Sequence, residues 1–206
     1  MSRSLLCALA LLATLVGGCR WFEVDEDGGP ADAGPPGASG RLVVPALGPG
    51  DEFGAAVAGS PDVLAIGAPG DDREGSQAGA VHIFRPGDGA WSEESVVTGD
   101  DARTGDRFGT SVALAGDLLA VGAPGRDGDG SWSGAVFLLR ADGAAWQAVA
   151  TLGAPDGAVG DRFGASVAFL DPDHLAIGAS GHDADQPGGG ATYLFERQGD
   201  MWMAVR

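Results

Sequence analysis

The sequence predicts an all-β chain, a partial β-propeller, open or incomplete, of about three four-stranded antiparallel blades. Three observations predict it. Four landmarks recur three times in one order, at a spacing of 55 residues with a single one-residue insertion. Short apolar runs, some alternating with period two, are separated by turns rich in Gly, Asp and Pro. No segment beyond residue 19 has the length or the periodicity of a helix.

The first landmark is Gly50-Asp51-Glu52-Phe53-Gly54, which returns as Gly105-Asp106-Arg107-Phe108-Gly109 and Gly160-Asp161-Arg162-Phe163-Gly164. The second is Ala65-Ile66-Gly67-Ala68-Pro69, matched by Ala120-Val121-Gly122-Ala123-Pro124 and Ala176-Ile177-Gly178-Ala179-Ser180. Gly79-Ala80-Val81, Gly134-Ala135-Val136 and Gly190-Ala191-Thr192 follow, and Trp91, Trp146 and Trp202 come last. The copies run over 50–104, 105–159 and 160–206.

The middle copy shows how each unit divides. Phe108, Thr110, Val112 and Leu114 alternate with smaller residues, as in a strand with one buried face. Leu118 to Val121 is a continuous apolar run, which suits a strand buried on both faces. Ala135 to Leu139 is the third strand, and Trp146 to Leu152 the fourth, with Gln147 and Thr151 expected opposite Trp146. The Gly-Ala-Pro corner should close the second strand, because Pro cannot donate to a continuing ladder. The Phe and Trp rings are expected to fill the space between blades, since one blade cannot bury both its faces alone.

The order Phe-Gly, then Gly-Ala-Pro, resembles the FG-GAP repeat of integrin α chains over residues 50–206, about three quarters of the chain. The added Gly-Ala-Val and Trp landmarks resemble its bacterial extracellular branch. The resemblance implies a propeller that serves recognition or adhesion. It does not carry calcium with it. The loops that correspond to the calcium loop are Gly59-Ser60-Pro61-Asp62, Ala115-Gly116-Asp117 and Asp171-Pro172-Asp173, too short and too poor in carboxylates for that ion. Closed propellers have at least four blades, and Leu42 to Ala46 reads as the last strand of an earlier one. A truncated product, a fragment, or an open arc that closes by self-association is therefore expected.

Residues 1–18 read as a signal peptide, with Arg3 ahead of an apolar stretch from Leu5 to Val16 that is too short to span a bilayer. Leu15-Val16-Gly17-Gly18-Cys19 resembles the lipobox of bacterial lipoproteins. The resemblance implies a lipid on Cys19, membrane anchoring in the bacterial cell envelope and, from Arg20 behind the cysteine, the outer membrane or cell surface. The alternative is a plain signal peptide with an incidental cysteine. Residues 19–40 form an acidic linker rich in Gly and Pro.

The 29 acidic residues face 12 basic ones, for a net charge of −17. That balance excludes nucleic acid as a partner, since phosphate binding needs clustered cations. All basic residues are Arg, so lysine-based catalysis and lysine-anchored cofactors are excluded as well. The only cysteines, Cys7 and Cys19, precede the repeats, which leaves no thiolate metal site there. His82, His174 and His182 have no metal-ligand spacing, and His82 is expected to be a half-buried packing residue. No metal, cofactor or catalytic residue is expected.

The loops behind Gly-Ala-Pro are acidic, with Asp71 and Asp72, then Asp127 and Asp129, then Asp183 and Asp185. They read either as solvated turns or as a ligand-facing rim for a protein or glycan. The functional expectation is a membrane-anchored binding, adhesion or scaffold module that is not an enzyme. The alternative is a truncated remnant or structural envelope protein without its own ligand.

Overall fold

The computed structural model describes residues 41–87, 90–128, 130–183 and 186–205. The expected signal segment and linker, with Cys19, lie outside the described residues. Every regular element described is a strand. The first blade comprises β1 (Ala56–Gly59), β2 (Leu64–Ala68), β3 (Ala80–Pro86) and β4 (Trp91–Val97). The second comprises β5 (Ser111–Ala115), β6 (Leu118–Ala123), β7 (Ala135–Asp142) and β8 (Ala145–Leu152). The third comprises β9 (Phe163–Asp171), β10 (His174–Ala179), β11 (Ala191–Gln198) and β12 (Met201–Ala204). Each is a four-stranded antiparallel meander in sequence order. The fold is thus the all-β, three-bladed partial propeller that the repeat predicts.

The continuous apolar run becomes β6, buried along its whole length. The Gly-Ala-Pro corner ends β2 at Ala68 and β6 at Ala123, one residue before each proline. Two other details differ from the sequence reading. Phe53 and Phe108 stand ahead of their strands, between residues of positive φ (Glu52 57°, Gly54 93°, Arg107 55°, Gly109 89°), whereas Phe163, between Arg162 at 57° and Gly164 at 87°, opens β9. Phe108 makes a parallel bridge to Gly79 of the preceding blade. Leu42 to Ala46 forms no strand, since no ladder partner among the described residues lies beside it.

A register shift in the β7–β8 ladder explains a further difference. Leu138 pairs with Ala150 and Leu139 with Ala148, so Val149 is a bulge. Beyond it the alternation flips. Thr151 pairs with Phe137 and shares a face with Trp146, while Gln147 stays opposite. The bulge lets one outer strand serve two interfaces. Trp146 packs on the cluster between blades 1 and 2, and Leu152 enters the one between blades 2 and 3. The β3–β4 ladder shifts in the same place, between Ile83 and Phe84.

Each interface joins the back of one sheet to the front of the next. Val81 and Ile83 of β3 meet Phe108, Phe137 and Leu139. Val136 and Leu138 of β7 meet Phe163, Ile177 and Phe195. The three repeat phenylalanines take equivalent places, edge-on to the ring at one position of the third strand. The centroid distances are 5.3 Å for Phe53–His82, 5.3 Å for Phe108–Phe137 and 5.5 Å for Phe163–Tyr193.

The sheets touch through backbone at the Gly of Gly-Ala-Pro. A Cβ on Gly67 would overlap the carbonyl of Gly109, and one on Gly122 the carbonyl of Gly164. Gly122→Ala is therefore expected to cost about 1–3 kcal/mol or more in chemical denaturation. Gly153→Ala, where the added carbon meets nothing, should stay within about 0.5 kcal/mol of the parent.

Candidate functional site

Antiparallel strands alternate in direction, so the loop between the second and third strands and the connector into the first strand lie at the same end of a blade. That end collects most of the buried charge. Asp51, Asp106 and Asp161 of the Gly-Asp-x-Phe-Gly segments are all buried. Each carboxylate accepts the backbone N–H three residues earlier, from Gly48 at 2.7 Å, Arg103 at 3.0 Å and Ala158 at 2.8 Å. This fixes the turn into each blade.

The residue behind the Gly-Ala-Pro corner faces that aspartate. In blade 2 it is Arg126, 3.0 Å from Asp106 and 5.1 Å above the Phe137 ring. In blade 3 it is His182, whose Nδ1 lies 2.9 Å from Asp161. The Tyr193 hydroxyl beside it donates to Asp156 at 2.6 Å. Blade 1 inverts the pattern, because Asp71 occupies the cation's place. Arg73 supplies the charge instead, through two 2.8 Å bonds to the Asp71 carboxylate. His82 replaces the aromatic ring. It is fully buried, not half-buried as its position in an alternating strand suggested. Its Nδ1 lies 2.6 Å from Glu93, and its Nε2, 3.8 Å from Asp71, has no hydrogen-bond partner among the described residues.

These pairings set the protonation behaviour. Burial alone would raise the Asp71 carboxyl, but the side-chain and backbone bonds from Arg73 outweigh it and hold the group below the usual carboxylate range. The bond to Asp161 holds the His182 imidazole above its ordinary value against a smaller effect of burial. Burial first, then the bond to Asp156, pushes the Tyr193 hydroxyl up.

The acidic loops divide by position. Asp71 is the buried, paired residue just described. Asp72, Asp127 and Asp183 are equivalent to one another, and each accepts the backbone N–H five residues on. The donors are Gln77 at 2.7 Å, Trp132 at 2.9 Å and Gly188 at 2.6 Å. One oxygen thus staples the loop. The other accepts no hydrogen bond among the described residues. Asp129 and Asp185 lie outside the described residues. Among the described residues no group of three or more His, Cys, Asp or Glu could hold a metal ion.

Sequence reasoning missed the role of Asp51, Asp106 and Asp161, although their threefold recurrence inside the first landmark was a usable signal. It also missed Arg73 and Glu93, which have no counterpart in the other copies, and Asp156, whose counterpart in the copy before is Asp101.

The His182–Asp161 pair has a pH consequence. A histidine whose folded pKa is raised stabilises the fold fully below its unfolded value of 6.5, and this contribution is lost as pH rises through the folded value. His182→Gln should therefore melt below the parent at about pH 5.5 and approach it as the pH is raised. A gap in melting temperature that widened with rising pH would contradict the pairing.

The match to a repeat family agrees with this architecture. The FG-GAP repeat family matches residues 41–84, 91–139 and 146–195. Each match after the first begins at or near an outer strand and ends in the third strand of the next blade, so it spans the joint between sheets. No curated protein matches the chain. A similar solved structure is the crystal structure of the Saccharomyces cerevisiae Sqt1, 14% identical, with a TM-score of 0.48. The alignment covers 78% of this chain and 36% of that one. With three matches over most of its length and three blades in register with them, the chain belongs to the FG-GAP repeat family.

Proposed function

We propose that the chain is a non-catalytic binding module of the cell envelope, anchored by a lipid on Cys19, which offers the loops at one end of its blades to a protein or glycan partner. Membership of the FG-GAP family supports an extracellular recognition or adhesion role, by analogy of fold. The observation that carries the reading is the triple recurrence of one loop geometry. Asp72, Asp127 and Asp183 each fix their loop with one oxygen and leave the other free of hydrogen bonds among the described residues. Three acidic loops held on rigid sheets at one end make a pre-organised polar surface. The lipobox-like sequence ahead of Cys19 supports the anchor.

Two experiments test this reading. Cys19→Ser should move the protein from the membrane pellet to the soluble fraction without changing its melting temperature. A variant that still sediments with membranes would remove the lipid anchor. For the loops, Asp72→Asn, Asp127→Asn and Asp183→Asn together keep an acceptor oxygen for each staple and remove three charges. Capture of a partner from envelope extracts should fall at least about tenfold, in line with the loss of charged contacts at a binding surface. Undiminished capture by the triple variant would exclude these loops as the contact.

A further inference from the structure

Among the described residues the joint between blades is built twice in full, and its two halves are left open at the two ends of the array. In each complete joint, the Gly-Asp-x-Phe-Gly segment of one blade donates three backbone N–H groups to the loop of the blade before it. Gly105, Arg107 and Phe108 donate to the carbonyls of Ser76, Gln77 and Ala78 at 2.9, 3.0 and 2.9 Å. Gly160, Arg162 and Phe163 donate to Ser131, Trp132 and Ser133 at 3.0, 3.0 and 2.9 Å. The corresponding acceptors on blade 3 are Pro187, Gly188 and Gly189, and no donor among the described residues reaches their carbonyls. The corresponding donors on blade 1 are Gly50, Glu52 and Phe53, and their N–H groups find no acceptor among the described residues.

Both open halves already hold the joined conformation. Gly188 has φ 67°, against 53° for Gln77 and 62° for Trp132 at the same place. Glu52 has φ 57°, against 55° for Arg107 and 57° for Arg162. The turn from Leu47 N–H to Val44 O repeats the turns at Ala102 and Gly157, so residues 44–54 follow the path of a connector, and Leu42, Val44 and Leu47 pack on Ile66 and Phe84. On that side Val57 is 60% exposed, whereas its equivalent Val112 is 9% exposed.

The receiving face of blade 3 is shaped for the same segment. Gly178 is the equivalent of Gly67 and Gly122, yet a Cβ there would meet only Ser166. Gly178 opens on a groove of about 380 Å³ that also includes Ser166, Gly190 and Thr192. Leu194 is 47% exposed where its equivalent Leu138 is fully buried, and Leu170 and Met203 on the same face are exposed as well. Charge agrees with shape. Successive x residues of the segment stand side by side, as the 2.7 Å Glu52–Arg107 pair shows. Arg162, the last of them, pairs with no carboxylate among the described residues and lies over Trp132. The next place in line suits a glutamate.

We propose that blade 3 receives the Gly50–Gly54 segment of a second copy of this chain, head to tail, with Glu52 of that copy beside Arg162. Two copies related by a two-fold axis would make the joint twice and bring together six blades, within the four to eight of closed propellers. This goes beyond the binding role and does not depend on it.

The test is the mass of the full chain carrying Cys19→Ser, which keeps lipid from setting the assembly, by sedimentation equilibrium over a dilution series. A two-chain mass that dissociates on dilution is expected. Gly178→Ala combined with Ser166→Ala adds a carbon where the next segment's carbonyl would seat, and should give a single-chain mass with unchanged circular dichroism. Glu52→Arg and Arg162→Glu should each raise the dissociation constant about twofold to fivefold, as exposed ion pairs allow, and together restore it. A single-chain mass at every soluble concentration, as a further blade from another protein or a longer chain would leave it, overturns the proposal. So does an assembly that none of these substitutions weakens.

Discussion

The whole structure rests on sheet faces that cannot be left in water. The middle strands β2 and β6 are apolar on both sides, so neither face of a blade can stay wet without exposing a core's worth of side chains. The remedy is sideways. Each sheet lends its back to the next sheet's front, and the backbone of one Phe-Gly segment lies against a bare glycine of its neighbour. Apolar burial supplies the drive, and the three N–H to carbonyl bonds set the register. The residue at Gly67 or Gly122 decides whether the two can act together, because a single methyl group would hold the sheets apart.

The outer strand shows how one short element meets two demands. A flat strand would send Trp146 and Leu152 to the same face. The bulge at Val149 turns the strand over between them, so the ring supports the interface behind and the leucine the interface ahead. The loss of one paired residue is offset by contact with two neighbours.

Charge is arranged by the same repetition, with one inversion. Blades 2 and 3 set a cationic side chain, Arg126 or His182, against the turn-forming aspartate. Blade 1 places Asp71 there and compensates with Arg73 and His82. A chain of net charge −17 thus buries carboxylates only where each is capped by backbone N–H or by a cation. Among the described residues the remaining carboxylates are exposed or half-buried, and three of them hold loops in equivalent shapes.

Much of this was legible in the residues alone. Recurrence at a spacing of 55 determined the number of blades, the strand order, and the place of Val121, Val136 and Trp146 in them, because side-chain volume and turn chemistry repeat with the unit. What only the tertiary structure decided lies at the joints. Arg107 and Arg162 take positive φ in the segment that joins the blades, and nothing local in Gly-Asp-x-Phe-Gly announces it, since the acceptors that reward that conformation belong to another blade. The same holds for His82. Its burial follows from Phe53 and Glu93 closing over it, and alternation along one strand carries no information about what another strand brings to its far side.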